Sequence, residues 1–398
     1  MIEEKYIELL LKRCLNLIEV RPLFIHYNTL NKDFVIKVVS YAKQMGIKDI
    51  YLDEHDLFKE HDILREININ DIKTKEEFNC NIWDEYAKKD AAFLILETEI
   101  PNLMSDIDSK KLAILAKNRS NTKPIYKEKQ LKSIIPWCIA GVPNIYWAKE
   151  VLPNSSDPLK DFWDILSKIC MLDNENPINS WNEFLEEQKN IVEKLNSLKI
   201  KKLYYKNSMG TDLEIVLPDN ALWQSASSGK WIQNMPSYEY FTTPDYHKTN
   251  GIVYCSKPLC YNGKIIKDFY IKFKDGKAIE YFAKENEDVL KEIINSDNLS
   301  SYLGEAALVN YNSPISSTNM IFKTTLFDEN AACHIALGAA FLECLKDSEQ
   351  YSEEELDTIG INSSKNHVDF MIGTKDLRIE ADTVNGKILL MKDGNLII

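Results

Sequence analysis

The sequence of 398 residues lacks the features of membrane-spanning and nucleic-acid-binding proteins. No apolar run approaches the roughly 20 residues that a transmembrane helix needs, because charges interrupt the longest candidates. Acidic residues outnumber basic ones by 61 to 48, which gives a formal net charge of -13. Because phosphate groups and anionic lipids repel an acidic surface, the sequence predicts no electrostatic binding to nucleic acid or to membranes.

Glycine is scarce in the first half of the chain, where only Gly46 and Gly141 precede residue 200. A dinucleotide-binding fold would place a G-x-G-x-x-G motif directly after a strand, and no predicted strand is followed by one. One alternative function is a nucleotide-dependent regulatory protein that uses this region. The sequence lacks the glycine motif that nucleotide binding of this kind usually requires.

The cysteines also lack a pattern, since the eight of them include no CxxC pair and no regular spacing. They predict reduced thiols that behave as small buried apolar side chains, rather than metal ligands or disulfides. The first residues, MIEEKYIELLLKRC, carry acidic side chains and a helical pattern instead of the basic segment of a secretory signal. Both observations predict a cytoplasmic protein.

The length favours two domains. In the first part, helical patterns alternate with apolar runs typical of buried strands. The predicted helices cover about residues 3–17 and 32–44, and the predicted strands cover 22–27, 49–52, 91–97 and 133–142. This alternation predicts an α/β N-terminal domain with a parallel-type sheet over residues 1–180.

The second part has a different pattern. A long amphipathic helix within residues 174–198, with Ser180 as a possible N-cap, is followed by strand patterns at 202–205, 213–217, 251–255, 268–273 and 278–283. Turn signals such as Asn262-Gly263 and Asp275-Gly276 separate the later ones. Residues 181–398 are therefore predicted to form an α+β C-terminal catalytic domain rich in antiparallel strands.

Histidines and carboxylates occur within apolar segments of this second part. In TLFDENAACHIAL, Glu329 precedes His334 by five residues, just before an apolar run that reads as helical. In NHVDFMIG, a predicted strand, His367 and Asp369 would project to the same side because strand side chains alternate. Each segment is also compatible with a structural role, as a core histidine or as a solvated edge strand.

Two further carboxylates complete the candidate set. Glu305 stands alone in the apolar run YLGEAALV, where a lone buried carboxylate would cost several kcal/mol or more unless it were paired or metal-bound. Glu239 lies between aromatic residues in NMPSYEYFTTP, a loop bracketed by prolines. Together the four segments offer oxygen and imidazole ligands of the kind that bind divalent cations.

These segments resemble the signatures of the aminopeptidase T / aminopeptidase S family of dinuclear metallo-aminopeptidases. NMPSYEYFTTPD resembles that family's NxPTxEVFTTPD, and GEAALV, SPIS, LFDENAACHIALG and HVDFMIG follow in the family's order and approximate spacing. The resemblance extends upstream to GTDL and to WCIAGVPNIYWA, so it covers essentially the whole chain.

The resemblance implies a metal-dependent enzyme that hydrolyses N-terminal residues from peptides, and it implies a homodimer. The matching metal ligands are Glu239, Glu305, His334, His367 and Asp369. Glu305 would bridge two divalent ions, which could be zinc, cobalt, manganese or magnesium. Glu329 matches a further acidic position, as a metal ligand or as a catalytic base.

One position departs from the family pattern. Where the family reads HLALGRAY, this chain reads HIALGAAF and ends the motif on Phe341, so a tyrosine hydroxyl that resembles a transition-state hydrogen-bond donor is missing. Loss of such a donor typically costs about 100- to 1,000-fold in turnover. A second interpretation is therefore that the protein is a catalytically attenuated relative that binds metal and peptides. Tyr238 or Tyr240 would have to supply the missing donor for full activity.

Overall fold

The computed structural model describes residues 2–75 and 78–398. Two compact units are present. The first comprises the chain up to Leu185 together with Gly229–Ser237 and Asn262–Lys264, and the second comprises Glu186–Ser228, Tyr238–Tyr261 and Ile265–Ile398. The domain boundary between residues 180 and 181 remains a proposal.

Twelve α-helices lie in the described residues: α1 (Ile2–Glu8), α2 (Lys32–Gln44), α3 (Leu57–Glu66), α4 (Asn81–Lys88), α5 (Ser109–Asn121), α6 (Pro124–Leu131), α7 (Ile145–Val151), α8 (Pro158–Ile169), α9 (Pro177–Leu198), α10 (Glu287–Ile294), α11 (Thr325–Asp328) and α12 (Glu353–Ile359). None of these is long and apolar enough to cross a membrane. The predicted helix at 32–44 is confirmed as α2.

The prediction of Ser180 as the N-cap of α9 is wrong. The helix begins at Pro177, whose ring suits the first turn because it has no N–H to satisfy. The carboxamide oxygen of Asn176 accepts a hydrogen bond from the N–H of Asn179 at 3.1 Å, so Asn176 serves the helix start. Ser180 lies inside the helix, and its hydroxyl donates to the backbone carbonyl of Asn176.

Eighteen strands lie in the described residues: β1 (Leu23–Asn28), β2 (Ile50–His55), β3 (Ala92–Glu97), β4 (Trp137–Gly141), β5 (Lys202–Lys206), β6 (Asp212–Val216), β7 (Asn234–Met235), β8 (Tyr240–Thr242), β9 (Asn250–Tyr254), β10 (Leu259–Tyr261), β11 (Lys264–Lys274), β12 (Lys277–Glu285), β13 (Leu303–Leu308), β14 (His334–Gly338), β15 (His367–Met371), β16 (Arg378–Thr383), β17 (Gly386–Lys392) and β18 (Asn395–Leu396). They form three sheets.

The first unit contains a five-stranded sheet with the order β2-β1-β3-β4-β7, in which all neighbours run parallel. This confirms the predicted parallel sheet. Its central strands read as continuous apolar runs because helices cover a parallel sheet on both faces. Aromatic side chains, among them Phe24, Trp83 and Phe93, pack into a core beside it. The two-residue strand β7 is too short to leave a sequence pattern.

The second unit contains a nine-stranded sheet in which β10, β11, β9, β6, β5, β16, β17 and β18 follow one another and β12 pairs with β11. The neighbours from β12 and β11 through to β18 run antiparallel, as predicted. The hairpin between β11 and β12 turns at Asp275-Gly276, where both residues have positive φ, of 49° and 81°. A two-residue hairpin needs that backbone, which explains why the Asp-Gly signal was informative.

A four-stranded antiparallel sheet, with the order β15-β14-β13-β8, carries the candidate site. Alternate side chains of this sheet face opposite ways. One face contributes Leu308, Ile335 and Phe370 to a core that also contains residues of the nine-stranded sheet. The other face carries the polar side chains of the candidate site.

The prediction that His334 precedes a helix is wrong, because His334 begins strand β14. Every residue of HIALG is buried, so the segment has no polar face that would reveal the two-residue period of a strand. A short apolar run of this kind cannot be assigned to helix or strand from periodicity alone.

Candidate metal centre

Strand register brings four of the predicted ligands to one face of the four-stranded sheet. Glu305 on β13 pairs with Ala336 on β14, and Ala336 pairs with Asp369 on β15. His334 lies two residues before Ala336 and His367 lies two residues before Asp369, so both project to the same side. In this register Ala336, whose side chain is a single methyl group, lies between the two carboxylates, so their oxygens can approach each other.

Two further carboxylates reach the same face from outside the strands. Glu239 is the residue directly before β8, and Glu329 opens a short 3-10 turn that separates α11 from β14. Both side chains are buried, with 7% of each residue exposed. Both carboxylates are therefore shielded from water. Strand pairing does not fix the position of either one.

The polar atoms form two groups of three that share Glu305. One group contains Glu239, Glu305 and His334, and the other contains Glu305, His367 and Asp369; within each group the candidate ligand atoms lie within 4.8 Å of one another. Nε2 of His334 lies 3.0 Å from Oε2 of Glu239 and 3.9 Å from Oε1 of Glu305. Nε2 of His367 lies 3.0 Å from Oε2 of Glu305.

Both histidines are held with Nε2 toward the carboxylates. Nδ1 of His334 lies 3.0 Å from the carbonyl oxygen of Glu329, and Nδ1 of His367 lies 2.7 Å from that of Ala339. A carbonyl only accepts, so each Nδ1 carries the proton and donates it. In the neutral imidazole this leaves the Nε2 lone pair free to bind a metal, an orientation that is typical of metal-binding histidines.

The charges of this cluster fit divalent cations. Oδ1 of Asp369 is buried and has no hydrogen-bond partner among the described residues, and its distance to Nε2 of His367 is 3.4 Å. Together, Glu239, Glu305, Glu329 and Asp369 carry four negative charges when ionised, which two divalent ions would balance. Buried carboxylates without such compensation are strongly destabilising, so the donor set matches hard or borderline cations.

The pKa shifts reflect the same excess of negative charge. Burial, together with the charge of Asp369, raises the pKa of Glu305 to about 7, against the opposing hydrogen bond from His367. Burial alone would lower the pKa of His334, but the hydrogen bond and charge of Glu239 raise it well above its usual value. Protons and divalent cations would therefore compete for the same cluster.

Glu329 lies among these charges without joining either group of three in the described chain. Burial, and then the negative charges of Asp369 and Glu239, raise its pKa well above the usual range. The nearby carboxamide nitrogen of Asn330 is 3.4 Å from its Oε1. Bound divalent cations would offset these negative charges and favour the ionised carboxylate, which can accept a proton.

Aromatic rings border the cluster. The ring of Phe341 lies 4.8 Å from the ring of His367 and 5.8 Å from that of Phe241, which packs with Ala307 on the ligand-bearing face. Tyr240 has the opposite orientation: it pairs with Leu308 and packs in the core on the other face. Tyr240 is therefore not placed to replace the missing donor, whereas Tyr238 precedes Glu239 directly.

All six predicted polar site residues lie together, and the structure adds two kinds of residue that the sequence did not indicate. The first is the small Ala336, which leaves room between Glu305 and Asp369. The second is Asn330, a fully buried amide that contacts the segments of Glu239 and Glu329. The available signal was an asparagine directly after the two acidic residues Asp328 and Glu329 in an otherwise apolar segment.

Comparison with known proteins gives consistent matches over nearly the whole chain. Residues 2–396 match the thermophilic metalloprotease family M29. Aminopeptidase AmpS of Bacillus subtilis is 34% identical over 367 residues, covering 89% of this chain and 88% of its own, and aminopeptidase 2 of Geobacillus stearothermophilus is 33% identical over 391 residues, covering 96% and 94%. The structure of wild-type AmpT from Thermus thermophilus superposes with a TM-score of 0.87 at 26% identity, covering 100% of this chain and 99% of that one.

Proposed function

The chain belongs to the thermophilic metalloprotease family M29 and is a metallo-aminopeptidase, and from this premise we propose that it hydrolyses N-terminal residues from peptides at a dinuclear centre built around Glu305. The observation that carries the proposal is the pair of three-residue groups that share this carboxylate. A shared carboxylate between two sets of ligands is the arrangement expected of a bridging ligand.

Each group would hold one ion. His334 and Glu239 would bind the first through Nε2 and a carboxylate oxygen, and His367 and Asp369 would bind the second in the same way. Glu305 would supply one oxygen to each, since its Oε1 faces His334 and its Oε2 faces His367. The donor set admits zinc, cobalt, manganese or magnesium.

When bound, two divalent ions would lower the pKa of a shared water and polarise the scissile carbonyl. Glu329 would accept a proton on its carboxylate from the attacking water and deliver it to the leaving amine, as a general base and then a general acid. Its position supports this role, because it lies beside the ligands and belongs to neither group.

The same acidic cluster would select substrates with a free amino terminus. Four buried or half-buried carboxylates would attract the α-ammonium group of a peptide. The carbonyl of the first peptide bond is attached to the same α-carbon, so it would then lie near the ligands. This is a physical reason for exopeptidase rather than endopeptidase activity.

Removing the metal should abolish the activity, because the proposed chemistry depends on the ions. We expect a chelator to stop release of the N-terminal residue from a free peptide, and zinc, cobalt, manganese or magnesium to restore it, with an N-acetylated copy of the peptide uncleaved throughout. Metal content per chain is measured on the same samples. Full turnover by protein shown to be metal-free would disprove the metal requirement.

A second candidate is an attenuated enzyme, and the phenyl ring of Phe341 beside His367 favours it. The test is Phe341→Tyr, which adds one hydroxyl where the family has one. We expect kcat to rise at least about tenfold with little change in KM, because an oxyanion donor acts mainly in the transition state.

The control for this variant is Phe241→Tyr, which places the same hydroxyl on the neighbouring ring and should give no gain in kcat. If Phe341→Tyr binds metal normally and turns over no faster than the parent, Phe341 does not limit catalysis. In that case Tyr238 is the next residue to replace.

The proposal includes a cytoplasmic homodimer that acts on peptides with a free N-terminus and has no nucleic-acid or membrane partner. The net charge of -13 supports the last point, because an acidic protein is repelled by phosphate backbones and anionic lipids.

A further inference from the structure

Two of the six acidic and imidazole groups at the site are not positioned by the sheet. Glu305, His334, His367 and Asp369 belong to β13, β14 and β15, where backbone pairing fixes their spacing. Glu239 precedes β8, and Glu329 lies in the 3-10 turn before β14. Something other than strand pairing must therefore hold these two carboxylates beside the other ligands.

The side chain of Asn330 contacts both of these segments. Its Oδ1 accepts a hydrogen bond of 2.6 Å from the N–H of Tyr238, the residue before Glu239. Its Nδ2 donates to the carbonyl oxygen of Leu326 at 3.0 Å and lies 3.4 Å from Oε1 of Glu329. One amide thus connects the approach to Glu239 with the turn that bears Glu329.

The amide is fully buried, so its hydrogen bonds are not replaceable by water. A buried primary amide is costly unless both its donor and its acceptor are satisfied. The backbone of Asn330 is anchored as well, since its carbonyl oxygen accepts a hydrogen bond from the hydroxyl of Ser313 at 3.2 Å. Hydrogen bonds therefore fix both the side chain and the backbone of Asn330.

We propose that Asn330 is a positioning residue, which sets the distance of Glu239 and Glu329 from the ligands on the sheet through its carboxamide. The inference rests on the proposed function, because it assigns a purpose to the geometry of the metal site. An amide suits this position: an aspartate would keep the acceptor for Tyr238 but would lose the donor and add a further carboxylate to an acidic cluster.

The test compares Asn330→Ala, which removes the donor and the acceptor, with Asn330→Asp, which keeps the acceptor. Asn196 supplies matched controls, because its side chain also joins two backbone groups, and both of these, at 2.8 and 3.1 Å, belong to Trp223 rather than to a segment that bears a proposed ligand. For all variants we would measure the melting temperature, the affinity for two equivalents of cobalt, the cobalt absorption spectrum, kcat and KM.

We expect Asn330→Ala to weaken binding of one cobalt equivalent and to lower kcat by about 10- to 100-fold, the usual effect of removing a group that orients ligands. Asn330→Asp should bind cobalt more tightly than Asn330→Ala, because it still accepts from Tyr238, while its kcat stays low. Asn196→Ala and Asn196→Asp should change the melting temperature alone.

A folded Asn330→Ala protein with the parental cobalt spectrum, affinities and kcat would overturn the proposal. If Asn330→Ala does not fold, Asn330→Asp provides the test. A parental cobalt spectrum and kcat in Asn330→Asp would also overturn the proposal. The cobalt readouts do not depend on peptide hydrolysis. An inactive parent that binds two cobalt ions would therefore contradict the proposed function while leaving the role of Asn330 measurable.

Discussion

Glu305→Gln should lose peptidase activity and bind both metal ions more weakly. The carboxamide has the same shape but supplies less negative charge, and Oε1 and Oε2 of Glu305 face different histidines. We therefore expect kcat to fall on the order of 1,000-fold, the upper end for loss of a group that stabilises transition-state charge. Metal stoichiometry after dialysis and turnover on a free peptide measure the two effects.

Glu239→Gln provides the comparison, because Glu239 belongs to one of the two groups only. This variant should bind one equivalent of metal more weakly and bind the other with near-parental affinity. Full metal stoichiometry together with full turnover in Glu305→Gln would show that Glu305 is not a bridging ligand.

Glu329→Gln should lower kcat by about 100- to 10,000-fold, the range for loss of a general acid–base group, while both ions stay bound. The expectation follows from the placement of Glu329 outside both groups of three. Steady-state kinetics and metal analysis on the same preparation separate the two quantities. Loss of a metal equivalent in this variant would identify Glu329 as a ligand instead.

The adjacent Asp328 is the matched control for Glu329. It is also buried, but its oxygens accept hydrogen bonds from the backbone N–H groups of Phe322 and Lys323 at 2.9 and 2.8 Å. Asp328→Asn should therefore lower the melting temperature, since a carboxamide nitrogen cannot accept, and should leave kcat of the folded protein near the parental value.

The fold was predictable where local patterns coincide with tertiary burial. The helix at Lys32–Gln44 and the strand at Ala92–Glu97 have clear periods and clear ends, and the Asp275-Gly276 turn has a backbone that few other residues adopt. Strand β14 was not predictable, because HIALG is buried on both faces and carries no alternation. The two-residue strand β7 forms by pairing with β4, which is distant in the chain, so no local pattern encodes it.

The candidate site was predictable in its residue types and not in its geometry. The spacing of His367 and Asp369 indicated a shared side on one strand, and β15 has that arrangement. The sharing of Glu305 between two groups depends on the register of β13 against β14 and of β14 against β15, which brings together residues about 30 to 60 positions apart. Asn330 was missed for the same reason, since its partner Tyr238 lies 92 residues away.

The central claim is that two ions share Glu305, and anomalous X-ray scattering from crystals of the metal-loaded protein tests it most directly. The account predicts two peaks about 3.5–4 Å apart, the usual separation in two-metal sites. One peak should contact Glu239 and His334, the other should contact His367 and Asp369, and Glu305 should lie between them. A single peak, or two peaks that Glu305 does not join, would contradict the dinuclear centre.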